Sequence, residues 1–111
     1  MNMKKSAAAT ACVPGKLTTA YLERVARILK LLAHPQRLKI VEALEEAGAQ
    51  PVHLLMEQLG LPQAATSQHL TLMRRAGLVE VQRRGRESWY TIADQRCLGV
   101  LNCIRDKRNA A

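Results

Sequence analysis

One stretch constrains this chain more than any other: Gly60 to Val79, reading Gly-Leu-Pro-Gln-Ala-Ala-Thr-Ser-Gln-His-Leu-Thr-Leu-Met-Arg-Arg-Ala-Gly-Leu-Val. The spacing predicts one helix of about four turns. Pro62 suits the first turn, where a missing N–H costs nothing. Gly77 suits a left-handed stop, with Arg74 and Arg75 in the last turn. Thr66, Leu70 and Met73 fall at i, i+4, i+7 and predict a buried stripe. Ala64, Ser67, Gln68 and Thr71 repeat the same spacing on another face, which is small, polar and free of acids. Such a face can enter a major groove, because small residues let the backbone approach and Gln and Ser can bond base edges. Alone, the pattern is equally that of an ordinary amphipathic surface helix.

The surroundings narrow the choice. The chain has 111 residues, enough for one domain with a small core. Aromatic residues are 3% with no Phe, so the 48% of apolar residues must build an aliphatic core. The formal net charge is +8, which favours polyanionic partners. No stretch approaches a membrane span, so no membrane partner is expected. Three Cys, an odd number, fit reduced thiols in a cytoplasm better than a disulfide framework. The basic start and the small residues up to Cys12 faintly resemble a leader, but no Leu, Ile, Val or Phe precedes Cys12, so a flexible arm is expected over residues 1–16.

A single domain is then expected over residues 17–109. From Leu17, a wide helical stripe runs through Tyr21, Val25, Ile28 and Leu32, with Thr18 or Thr19 as cap. His34-Pro35 ends that helix and opens a second, to about Glu46, followed by a loop at Ala47 to Pro51. A short third helix spans His53 to Leu59, with Leu54, Leu55 and Leu59 inward. Gly60 stops it, and the tight connection to the next helix is a helix-turn-helix arrangement. After Gly77 the period changes: Leu78, Val79 and Val81, then Trp89, Tyr90 and Ile92, have strand character around a turn at Gly85. This is a β-hairpin with Arg83, Arg84 and Arg86 at its tip. Beside a groove-entering helix, such a hairpin is a wing whose arginines can meet phosphates or a narrow minor groove. The candidate DNA-contacting residues are therefore Gln63, Ala64, Ser67, Gln68, Thr71 and Arg74 of the helix and Arg83, Arg84 and Arg86 of the wing. Asp94 can cap a last helix to about Arg108. The first and last helices are both more apolar than a small monomer requires, so packing against their two-fold copies is expected. The fold class is mainly α with a small β-hairpin, in the order α-α-α-α-β-β-α, dimerising through the first and last helices.

Over about residues 20 to 95 the chain resembles the ArsR/SmtB family of winged helix-turn-helix repressors. The resemblance lies in Leu31-Leu32-Ala33-His34-Pro35-Gln36-Arg37-Leu38-Lys39-Ile40-Val41-Glu42-Ala43-Leu44, in Leu59-Gly60-Leu61-Pro62-Gln63-Ala64-Ala65-Thr66-Ser67-Gln68-His69-Leu70, and in Arg75-Ala76-Gly77-Leu78-Val79. It implies a homodimer on double-stranded operator DNA, released by an inducer that is often a metal ion or thiol-reactive agent. Two familiar metal sites are missing. Gln50-Pro51-Val52-His53-Leu54 stands where many members have Cys-x-Cys, and Asp94 is followed by Gln95 and Arg96 in a last helix without His. Pro62 also replaces the Ser that often caps the recognition helix.

The remaining sensor candidates are Cys12, Cys97 and Cys103. Three thiolates suit arsenite or antimonite, and the resemblance supports thiols in the arm or last helix. Cys97 and Cys103 are separated by about 9 Å of rise and about 120° of rotation on a helix. An intact helix thus forbids a bridge between them, since a disulfide needs Cα atoms within roughly 7 Å. A joint site needs the helix to unwind near its end or Cys12 to supply a mobile ligand, and a redox bridge could equally run from Cys12 or between Cys103 residues across the dimer. Cys97 also fits a plain core position. His34 and His53 suit helix-start or surface roles, and His69 packing or phosphate contact. No catalytic constellation appears, so an enzyme is not expected. The expected function is an operator-binding repressor released through cysteine thiols by arsenite, antimonite or another thiophilic metal or metalloid. The alternatives are a thiol-based redox or reactive-sulfur sensor without metal and, from another class, a winged-helix protein-interaction module.

Overall fold

The computed structural model describes residues 15–110, with side chains described through Asp106. Cys12 and the rest of the expected arm before Gly15 lie outside the described residues. The described elements run α1 (Thr19–Leu32), α2 (Pro35–Ala47), β1 (Gln50–Pro51), α3 (Val52–Leu59), α4 (Gln63–Arg75), β2 (Val79–Arg84), β3 (Glu87–Ile92) and α5 (Arg96–Ala110). The chain divides into two compact units with the boundary between Lys30 and Leu31. In the first, α1 is capped by Thr18, whose Oγ1 accepts from the Tyr21 N–H at 3.1 Å. Leu17, Leu22 and Leu29 are exposed.

The second unit carries the helix-turn-helix and the sheet. His34 is the N-cap of α2, and its Nδ1 accepts from the Gln36 N–H at 3.1 Å, with Pro35 at the first helical position. The core is aliphatic, as the lack of Phe requires: Leu32, Ile40, Val41, Leu44, Leu55, Leu70, Met73, Leu78 and Val79 are all buried. Arg105 of α5 reaches Glu45 of α2 at 2.5 Å, joining those helices at their edge.

Helix α4 is anchored along one side. Thr66, Leu70 and Met73 are completely buried. The Thr66 hydroxyl, which would be costly to bury unpaired, donates to the Pro62 carbonyl at 3.0 Å. Pro62 sits at the N-cap rather than inside the first turn. At the other end, the Leu78 N–H reaches the Met73 carbonyl and the Gly77 N–H the Arg74 carbonyl, both at 2.9 Å. This is a Schellman stop, and Gly77 supplies its left-handed residue at φ +80°.

The structure corrects two further details. Gln50–Pro51, read as loop, is a strand that pairs antiparallel with β3 through Gln50↔Tyr90 and Pro51↔Trp89, making a three-stranded sheet of order β1-β3-β2. Pro51 is tolerated there because an edge strand does not need every N–H. Gln50 is buried yet satisfied: its Nε2 donates to the Ala43 carbonyl and its Oε1 accepts from Gln58 Nε2, both at 2.7 Å. Leu54, expected inward, is 37% exposed. The α3 helix presents Leu55 and Leu59 to the core, and Leu54 lies about 100° from Leu55. Among the described residues no helix is long and apolar enough to cross a membrane.

Candidate nucleic-acid interface

Because Thr66, Leu70 and Met73 anchor one side of α4, the opposite stripe is turned outward. Gln63, Ala64, Gln68 and Arg74 are exposed, while Ser67 and Thr71 are half-buried. No side chain caps the N-terminus of α4, so its first-turn N–H groups have no side-chain acceptor. With the helix dipole they favour an anion there.

The hairpin treats its arginines differently. Residues pair as Gln82↔Trp89, Arg83↔Ser88 and Arg84↔Glu87, so Arg83 shares a face with Ser88 and Tyr90, and Arg84 shares the other with Trp89 and with Glu87, whose carboxylate nonetheless lines the cleft beside the turn. Arg83 Nη1 lies 3.4 Å from Ser88 Oγ. The Arg84 guanidinium stacks over Trp89, 4.6 Å from the ring centroid. A cleft of about 430 Å³ opens between α3, the first turns of α4 and the hairpin, with Gln63, Ser67, Arg83 and Arg86 among its lining residues. The structure thus brings two wing arginines together with the outward face of α4 and sets Arg84 on the opposite face of the sheet. The sequence had treated the three as equivalent.

Two further residues line this cleft that sequence reasoning did not place there. His53, at the start of α3, and Glu87, first residue of β3, meet at 2.7 Å (Nδ1–Oε2). They are 34 positions apart, so no local spacing could have revealed the pair. His69, in contrast, is engaged within the protein. Its Nδ1 accepts from Arg37 Nε at 3.1 Å, and its ring meets that of His34 edge-on at 4.6 Å. Burial first, then the neighbouring His34 and Arg37, pull its pKa below the usual histidine value.

The thiols separate as well. Cys97 and Cys103 are both free, on an unbroken α5. Cys97 is 1% exposed among core residues, and burial, aided by Asp94, pushes its thiol up to about 11. Asp94 itself is held below the usual carboxylate range by its hydrogen bonds with Arg96, whose backbone N–H it also caps at 2.9 Å. Cys103 is exposed. Among the described residues no group of three His, Cys, Asp or Glu side chains is placed to hold a metal ion. The α5 thiols therefore do not by themselves fit a three-thiolate metalloid site.

Comparison with known proteins agrees with this geometry. The model of the arsR family of bacterial regulatory proteins matches residues 34–81. The transcriptional repressor PagR of Bacillus anthracis is 37% identical over 95 residues, covering 86% of this chain and 95% of its own length. The PagR crystal structure superposes with a TM-score of 0.71 over 78% of this chain and 99% of that one. The HTH-type transcriptional repressor SmtB of Mycobacterium tuberculosis is 41% identical over 80 residues, 72% of this chain and 58% of that protein. The solution structure of a homodimeric winged helix-turn-helix DNA-binding domain from Mycobacterium bovis, a possible ArsR-family regulator, is 27% identical with a TM-score of 0.72, covering 87% of this chain and 91% of that one. With its helix-turn-helix, its wing and these relatives, the chain belongs to the arsR family of bacterial regulatory proteins, a family of winged helix-turn-helix regulators and not of enzymes.

Proposed function

We propose that this protein is a transcriptional repressor that binds double-stranded operator DNA as a homodimer. The observation that carries the reading is the acid-free outward stripe of α4 facing the same cleft as Arg83 and Arg86. The helix would read base edges, and the arginines would hold the phosphate backbone. Dimerisation through α1 and α5 is supported by exposed Leu17, Leu22 and Leu29 at one end of the chain and Ile104 at the other. A two-fold dimer would set two copies of α4 about one turn of DNA apart. The test is anisotropy of a labelled duplex from upstream of the protein's own gene against a random duplex of equal length. Equal affinity for both would defeat the operator reading, and a monomer by sedimentation would defeat the dimer. An interaction module without a DNA role would show no shift with either duplex.

Release of the operator is assigned to thiol chemistry at Cys103, the exposed cysteine of α5, because reactive thiols are accessible and readily ionised and Cys97 is neither. Two Cys103 thiols from two copies could form an S–S bond, giving two protons and two electrons to an oxidant such as peroxide. An arsenite or antimonite site would need thiols from Cys12 or a second copy beside Cys103. Operator release by peroxide and by arsenite, compared in Cys12→Ser, Cys97→Ser and Cys103→Ser, separates these routes. If Cys103→Ser responds to both agents as the parent does, the assignment fails.

A further inference from the structure

The outer hairpin is held to the helices by less than its base is. Strand β1 pairs with β3 only at Trp89 and Tyr90, so residues from Arg83 through Ser88 extend past the end of that ladder as a two-stranded ribbon. Two-stranded ribbons are weakly stable on their own. Among the described residues, the other polar side-chain contacts of this ribbon stay inside the hairpin: Arg83 with Ser88, and Arg84 on Trp89. The exception is Glu87, whose carboxylate crosses to His53 of α3 at 2.7 Å.

The charge at this point is also distinctive. The cleft between α3, α4 and the hairpin is lined by the cations Arg83 and Arg86 and by one carboxylate, Glu87. A bare carboxylate beside DNA phosphates would repel them. The contact with His53 engages that carboxylate and holds it against α3. Both side chains are about half-exposed, 55% and 45%, so the pair adds little to folding stability and stays in contact with solvent.

We propose that His53 and Glu87 are positioning residues for DNA binding: their contact clasps the outer wing to α3, keeps Arg83 and Arg86 facing Gln63 and Ser67 across the cleft, and engages the acid that lines it. The inference rests on the DNA-binding reading. Around His53 stand Glu87, Arg83, Arg86 and Tyr90 from the hairpin and Glu57 one turn along α3, while α4 contributes the uncharged Gln63 and Ser67.

The experiment is a double-mutant cycle on the full chain, with His53→Gln, Glu87→Gln and the double variant titrated with the labelled upstream duplex at one pH and constant ionic strength. His53→Gln is expected to weaken binding about two- to fivefold, the range an exposed polar pair supplies, and its effect should vanish once Glu87 is already Gln. If His53→Gln weakens binding equally in both backgrounds, the histidine touches DNA directly and there is no clasp. Unchanged affinity in His53→Gln overturns the clasp alone, whereas a parent protein that binds no duplex removes the DNA-binding reading and the clasp with it. Both groups are exposed enough that thermal unfolding should move little, which separates a positioning defect from misfolding.

Discussion

Helix α4 and the hairpin line the same cleft, but they are held there in different ways. Three completely buried side chains, a satisfied buried hydroxyl and a glycine stop fix the rotation of α4 about its own axis. The hairpin buries Val79 at its base, and from Glu80 through Glu87 every residue is exposed. Base edges require a side chain placed to within hydrogen-bonding geometry, which suits the anchored element. Phosphates require charge at roughly the right distance, which a less constrained ribbon can supply. The division between reading and holding thus follows from where the core reaches.

The largest test of this contrast is stability. Leu70→Ala should cost roughly 2–5 kcal/mol in urea unfolding, as expected for a buried leucine, whereas Arg84→Ala should stay within about 0.5 kcal/mol. Comparable losses would mean that the hairpin is as deeply tied into the fold as α4. Next in size is Gln68→Ala, which should cut affinity for the operator about tenfold with little change on random DNA. An equal fall on both duplexes would move α4 from reading to holding. Gly77→Ala tests what stops α4. A Cβ there meets nothing within 4 Å, so the expected loss of about 1–2 kcal/mol comes from the left-handed backbone alone. A neutral result would show that the helix end can be rebuilt without it. The smallest effect separates the two faces of the wing. Arg83→Ala should weaken binding to all sequences and lower the salt slope by about one, with Arg84→Ala changing the slope less because its guanidinium lies on Trp89. Equal slopes would place both faces of the wing on DNA.

Much of this could be read before any coordinates. The glycine stop of α4, its buried stripe, the turn at Gly85, the His34-Pro35 break and the Asp94 cap all depend on local backbone preference and helical period, which a sequence displays directly. The cysteines show where that reading ends. Cys97, Leu101 and Ile104 share one helical stripe, yet Cys97 and Leu101 are buried and Ile104 is 48% exposed. Periodicity says which residues share a face and is silent on what stands opposite.

The chain's own order of residues was therefore enough to determine the helices, the turn between α3 and α4, the hairpin and the acid-free outward stripe of α4. The two-residue strand β1 has too short a run to register as a strand and exists only because β3, some forty positions later, offers it an edge. The split of the wing arginines needed the strand register, and the meeting of His53 with Glu87 needed α3 and β3 to come together. The low ionisation of Cys97 needed a core to surround it. Each of these depends on contacts between segments far apart in the chain, and it is folding, not local preference, that makes such contacts.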